Sequence, residues 1–166
     1  MSGAASKPRT AGLLLVGALC CVLPTGTWAQ ACRRAEVVRV HDGDTLTLRC
    51  DGKPLTLRLA GIDAPEYRQP GGREARAALA ALIDGRPLAV AVTASDRYGR
   101  RIGDISIDGN EVSLSLVAQG WAWCGARSAA ACRSRQESAR RARRGLWREP
   151  DPLPPWRWRE LHPYRR

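Results

Sequence analysis

Val37-Val38-Arg39-Val40-His41-Asp42-Gly43-Asp44-Thr45-Leu46-Thr47-Leu48-Arg49-Cys50-Asp51-Gly52-Lys53-Pro54-Leu55-Thr56-Leu57-Arg58-Leu59 is the stretch on which the fold turns. Its middle part, 45–50, alternates polar and apolar residues, as a half-buried strand does, and 55–59 alternates again. Residues 37–40 read as a strand before them. Asp42-Gly43 and Asp51-Gly52 are hairpin turn signals between the three segments. Three short strands in a meander open a small sheet or barrel.

Outward from this core, residues 61–72 hold Pro65, Pro70, Gly71 and Gly72 and read as a loop. The Ala- and Leu-rich run 73–83 predicts a helix, ended near Gly85 and Pro87. Two more strands follow at 88–93 and 102–107, joined by Asp96-Arg97-Tyr98-Gly99-Arg100. A short helix at 112–119 closes on Gly120, and a basic helix at 133–144 closes on Gly145. The order suits an α+β, mainly β chain: a five-stranded OB-fold barrel with about three helices. From Glu149 onward, Pro150, Pro152, Pro154, Pro155 and Pro163 predict an extended, poorly ordered tail.

The N-terminal segment 1–29 reads differently. Lys7 and Arg9 precede an apolar run from Ala11 to Leu23; Pro24 and Gly26 break it, and Thr27-Trp28-Ala29 offers a small-x-small cleavage site. This is the layout of a secretory leader, and the run is short for a membrane span of ~20 residues. The division is therefore a leader at 1–29, a domain at 30–148 and a tail at 149–166, with the mature protein secreted or periplasmic. Lipid anchoring at Cys32 is a minor alternative. Cys20 and Cys21 leave with the leader. Cys32, Cys50, Cys124 and Cys132 remain, an even number for an oxidising compartment. Four cysteines allow three pairings. We favour Cys32 with Cys50, across one hairpin, and Cys124 with Cys132, around a short Ala-rich loop. Zinc is disfavoured, because Cys-x-x-Cys is lacking and His41 and His162 are the only histidines.

Lys and Arg total 27 against 16 Asp and Glu, a net charge of +11 that falls to +9 once Lys7 and Arg9 are removed. Such a balance speaks of partners rather than fold: nucleic acid, anionic membrane or acidic protein. Two loops concentrate acids, Asp42-Gly43-Asp44 and Asp63-Ala64-Pro65-Glu66. Arg58 stands just before the second of them, and Arg100 ends the loop between the last two predicted strands. Phosphodiester hydrolysis needs this mixture. Carboxylates hold a hard cation, arginines pair with phosphoryl oxygens, and one further carboxylate manages a water.

Taken together, Asp42-Gly43-Asp44-Thr45-Leu46, Arg58-Leu59-Ala60-Gly61-Ile62-Asp63-Ala64-Pro65-Glu66 and Asp96-Arg97-Tyr98-Gly99-Arg100, followed by Gly145-Leu146-Trp147, resemble the signatures of the staphylococcal nuclease family, in order. The resemblance implies a calcium-dependent nuclease acting on DNA and RNA to leave 3′-phosphate ends. It implies Asp44, Asp63 and the main-chain carbonyl of Ala64 as calcium ligands. Arg58 and Arg100 would clamp the scissile phosphate, and Glu66 would be the general base. Asp42 would support the ligands from behind, and Arg97 and Tyr98 would meet a neighbouring phosphate. The segment 121–127 departs from the family in lacking tyrosines near the base. Trp121 and Trp123 could replace them, but packing of the last helix is the favoured reading. Two rivals keep the basic surface without the chemistry: a silent OB-fold binding module, and a cationic protein acting on membranes or cell walls through Arg140-Arg141-Ala142-Arg143-Arg144. Neither explains three motifs in order. One difficulty is parity: Asp44 runs in step with Leu46 and Leu48, whereas Arg58 is out of step with Leu57 and Leu59. Curvature or a bulge at the barrel rim is expected to reunite them.

Overall fold

A computed structural model of the chain describes Met1 and residues 30–32 and 34–163; the expected leader, with Cys20 and Cys21, lies outside them. Strands β1 (Gln30–Cys32), β2 (Ala35–Val40), β3 (Thr45–Cys50) and β4 (Lys53–Leu59) come first. β2, β3 and β4 form the expected antiparallel meander. Asp51 and Gly52 both have positive φ, 49° and 83°. That is the backbone of a two-residue hairpin turn matched to strand twist. Alternation is kept: Leu46, Leu48, Leu57 and Leu59 are buried, while Arg49 is exposed.

Beyond β4 lie a two-residue strand β5 (Ile62–Asp63), helix α1 (Gly72–Ile83), and strands β6 (Ala89–Ser95) and β7 (Arg101–Ile107). β8 (Asn110–Glu111) pairs with β7, and α2 (Val112–Ala118) follows directly. β7 runs parallel to β4, pairing Leu57 with Arg101 and Arg58 with Ile102. Helix α1 lies in the crossover that parallel strands require. The main sheet is ordered β1-β6-β7-β4-β3-β2. Its outermost strands, β1 and β2, are neighbours along the chain, so one segment reaches from the edge of β6 to the edge of β3. The sheet is thereby curled around its own core, as an OB-type architecture requires. Cys32 and Cys50 are joined at a Cα separation of 5.5 Å, fastening that segment to the end of β3.

α1 buries Ala75, Leu79 and Ile83 on one stripe, at helical spacing, against the sheet. The core is Leu-rich because the chain has no Phe. Full burial of each such leucine stabilises the fold by roughly 1.5–3 kcal/mol. A second cluster joins Trp123 of β9 (Trp123–Cys124), Ala139 of α3 (Ala130–Arg141), and Leu146 and Trp147 of a short 3-10 helix (Gly145–Arg148). Trp123 and Trp147 meet edge-on at 5.2 Å, and Trp123 is buried. That places Trp123 in packing rather than at a substrate surface. The second disulfide, Cys124–Cys132, ties β9 to the start of α3.

Three expectations are corrected. Cys32 and Cys50 do pair, but not across one hairpin: Cys32 lies in β1, whose strand partner is β6. The tail is not extended throughout: α4 (Pro155–Leu161) forms, opened by a proline in its first turn, where the missing N–H costs nothing. Pro155 is fully buried, and Trp156 approaches Trp123 edge-on at 6.4 Å. The basic helix α3 also starts and stops three residues earlier than expected, with Arg143 at a positive φ of 48°. Among the described residues, no helix is long and apolar enough to cross a membrane.

Candidate active site

The parity difficulty resolves at Asp44. Asp44 is not part of a strand: it sits in the bend before β3, so alternation does not govern its side chain. The register shifts of this sheet lie elsewhere, in β2 and β6. The bend is built by Asp42, whose Oδ1 accepts the Asp44 N–H at 3.0 Å. Gly43 is needed for closeness: a Cβ there would stand 2.7 Å from the Cβ of Ala64 and 2.8 Å from that of Ala75. The Asp42-Gly43 pair therefore does not make a two-residue hairpin turn; it lets the bend approach α1 and the Asp63 loop.

Arg58 is paired with Thr45 across the β3–β4 ladder, and its side chain turns toward this bend. Nη1 donates to Asp44 Oδ1 at 2.5 Å and Nη2 donates to Asp63 Oδ1 at 2.8 Å, so one guanidinium spans two carboxylates. Asp44 also accepts from Thr45 Oγ1 at 2.8 Å and, through Oδ2, from the Ala64 N–H at 2.8 Å. Asp63 is held in β5, whose antiparallel partner is β9. Glu66 follows in the next turn. A Cβ on Gly72 would collide with the Glu66 carbonyl oxygen, so only glycine lets α1 begin against that turn.

Asp44 is 2% exposed. Burial pushes its carboxyl up to about 7 against the pull of Arg58, with Asp42 and Asp63 adding like-charge repulsion. Burial alone would lower the Arg58 pKa; Asp44 and Asp63 outweigh it and hold the guanidinium above its usual value. Clustered buried carboxylates of this kind call for compensating positive charge. The donors available are oxygens. The cysteines are in disulfides and His41 is hydrogen-bonded to Thr47 Oγ1 at 2.8 Å. An oxygen-binding hard cation fits this set, and a soft metal does not.

Arg100 enters from the strand beside Arg58, one residue before β7, but it does not join the acidic cluster. Its Nε donates to Asp96 Oδ2 at 2.8 Å, and Asp96 Oδ1 accepts the N–H groups of Tyr98 and Arg100. Tyr98 is 67% exposed. The Arg97 and Arg100 guanidiniums stand 4.9 Å and 5.7 Å from its ring centre, within reach of a cation–π contact. Arg97, Tyr98 and Arg100 thus form one exposed knuckle, suited to phosphate and base contact.

Two residues of this region went unpredicted. Arg159 of α4 donates from Nη2 to Asp63 Oδ2 at 2.7 Å, and from Nη1 to Asp63 Oδ1 at 3.2 Å and Glu66 Oε1 at 2.9 Å. Gln69, 4% exposed, accepts the Glu66 N–H at 3.2 Å and donates to the Leu153 carbonyl at 2.6 Å, stitching the Glu66 turn to the tail. The proline before Trp156 was the available signal for α4. Nothing local marks Gln69.

Residues 56–149 match the family described as staphylococcal nuclease homologue. The chain is 36% identical to the protein ParB of Escherichia coli over 92% of its own length and 94% of that protein. It is 37% identical to an uncharacterized endonuclease of Escherichia coli O157:H7 over 80% of this chain and 90% of the relative. It is also 34% identical to a micrococcal nuclease of Shigella flexneri, over 87% of this chain and 90% of the relative. With more than half the chain matched to the family and most of it aligned to these relatives, the chain belongs to the staphylococcal nuclease family, as a metal-using hydrolytic nuclease whose substrate is nucleic acid.

Proposed function

We propose that this nuclease is exported, works with calcium, and cuts DNA and RNA internally to leave 3′-phosphate ends. The observation that carries the reading is the span of Arg58 across Asp44 and Asp63, which gathers two oxygen donors and one phosphate-binding fork at a single point. Asp44, Asp63 and the carbonyl of Ala64 would hold calcium, which when bound supplies positive charge against the phosphoryl oxygens. Calcium suits the set because it accepts irregular carboxylate and carbonyl shells completed by water. Arg58 on β4 and Arg100, just before the adjacent β7, bind the non-bridging oxygens and stabilise the charge that grows as phosphorus is attacked. Asp42 keeps the Asp44 bend in shape. Glu66 accepts a proton from the attacking water. The new bond joins the water oxygen to phosphorus; the bond to the 5′-oxygen breaks, that oxygen takes a proton from solvent, and phosphate stays on the 3′ side. Arg97 and Tyr98 hold the neighbouring part of the strand.

Export is supported by the cysteines: both disulfides need an oxidising compartment. The Cys32 sulfur is bonded to Cys50, so it is not available for a lipid thioether, which favours a free mature protein over anchoring. The test is cutting of single- and double-stranded DNA and RNA with calcium and with chelator, using the parent and Glu66→Gln. Chelator should abolish cutting and calcium restore it. Glu66→Gln should cut roughly 10²–10⁴-fold more slowly while still binding nucleic acid. Full cutting in chelator would rule out the calcium reading, and 5′-phosphate products would rule out the proposed bond cleavage.

A further inference from the structure

The family match ends at residue 149, and α4 begins at Pro155, so the element that supplies Arg159 lies beyond the matched region. Yet Arg159 holds both oxygens of Asp63 and one of Glu66. With Arg58 also on Asp63, these carboxylates meet two guanidiniums. We propose that α4 is a tethered, displaceable plug, with the Arg159 guanidinium holding Asp63, one of the cation's expected ligands, together with the neighbouring Glu66. This rests on the reading of Asp63 as a calcium ligand.

The chemistry of exchange is direct. Asp63 Oδ2, paired to Arg159 at 2.7 Å, cannot offer the same lone pairs to a metal ion. Those lone pairs are freed when the guanidinium withdraws. The mounting permits that. α4 has 7 residues, Trp156 and Leu161 are 43% and 62% exposed, and the segment before it carries Pro150, Pro152 and Pro154. Its attachments include Pro155 in its socket, Trp156 against Trp123, the Gln69–Leu153 bond and Arg159 itself. Short terminal elements with exposed faces open at lower free energy than the core. A tether keeps the plug at high effective concentration, so it competes with a freely diffusing ion. Phosphate is the natural partner for the released guanidinium. A nucleic acid strand at the rim would draw Arg159 off the carboxylates and admit calcium, so the two ligands should bind with positive linkage.

Calorimetric titration with calcium alone, on the parent, Arg159→Gln and Trp156→Ala, tests this without reference to activity. If the plug is seated nine-tenths of the time, removing it tightens apparent calcium affinity about tenfold. Arg159→Gln should show that change. Trp156→Ala, which keeps every charge but loosens α4, should move the same way by about threefold on the same population argument. Tightening in Arg159→Gln with none in Trp156→Ala would mean a field effect and overturn the plug. Equal affinities in all three would overturn it while leaving the calcium reading intact. Absence of calcium binding in all three would remove the calcium reading and the plug with it. Hydrogen exchange supplies the second measurement: amides of Arg157–Leu161 should lose protection when calcium saturates the parent, and unchanged protection would overturn displacement.

Discussion

Arg58 binds Asp44 and Asp63 through different nitrogens, at 2.5 Å and 2.8 Å, and that division of labour needs a planar fork. Lysine keeps the charge but offers a single nitrogen. Arg58→Lys should lower turnover roughly 10²–10³-fold, the usual worth of one charge-stabilising donor. It should also destabilise the metal-free fold by about 1–3 kcal/mol, because a buried acceptor loses its partner. Urea unfolding in chelator measures the second effect. Arg100→Lys should lose turnover at a smaller cost in stability, since Asp96 keeps the N–H groups of Tyr98 and Arg100 as donors. Asp44 adds a pH signature. Its carboxyl is protonated in both states below about pH 4. As pH rises toward about 7, the unfolded chain ionises first while the folded carboxyl still holds its proton. The metal-free protein should therefore lose stability across that window, and calcium, which favours the ionised form, should flatten the slope. Thermal melts from about pH 4 to 7, with and without calcium, would show it; a chelated protein that gains stability over this range would contradict the burial of Asp44. These residues could be singled out in the sequence because their motifs place them on turns beside strands. Their geometry could not, since the bend at Asp44 overrides the alternation that set it apart from Arg58.

β9 is two residues long, yet among the described residues it alone pairs with β5, where Asp63 sits. The disulfide Cys124–Cys132 anchors it to α3, whereas Cys32–Cys50 fastens the edge strand β1 to the end of β3. Loop closure across 18 residues contributes about 3 kcal/mol, and across 8 somewhat less, about 2.5 kcal/mol. Serine replacement of Cys32 and Cys50 should thus cost more stability, and replacement of Cys124 and Cys132 more turnover. Denaturation and steady-state cutting of the two double variants check the contrast; equal loss of turnover in both would remove β9 as the prop of Asp63. The five principal strands and the first two helices were readable because alternation and helical spacing are strong over such lengths. β5, β8 and β9 were not, because two residues carry no period. α4 was hidden by proline, which marks extended chain and the first helical turn alike.

At the scale of the whole molecule, a net charge of +11 makes binding an electrostatic affair. Releasing counterions from about six phosphates would cost roughly 10³-fold in affinity between about 50 and 200 mM salt. Fluorescence anisotropy with Glu66→Gln, which binds without cutting, measures that slope; a salt-independent affinity would exclude phosphate contacts as its source. The placing of β1 and β2 at opposite ends of the sheet was beyond sequence reasoning, because it depends on which edges each strand can reach. The same holds for Arg159, separated from Asp63 by 96 residues. The aromatic cluster beneath α4 has a consequence of its own. Trp123 stands edge-on to Trp147 at 5.2 Å and to Trp156 at 6.4 Å. Indole transition dipoles this close and this steeply inclined share their excited states, and a chiral pair of that kind produces a signed couplet in the ultraviolet circular dichroism. Trp147 belongs to the body and Trp156 to the tail helix, so the Trp123–Trp147 couplet is constant and the Trp123–Trp156 couplet follows the distance between α4 and β9. The chain carries an exciton gauge for the position of its own last helix, and reading it requires no label.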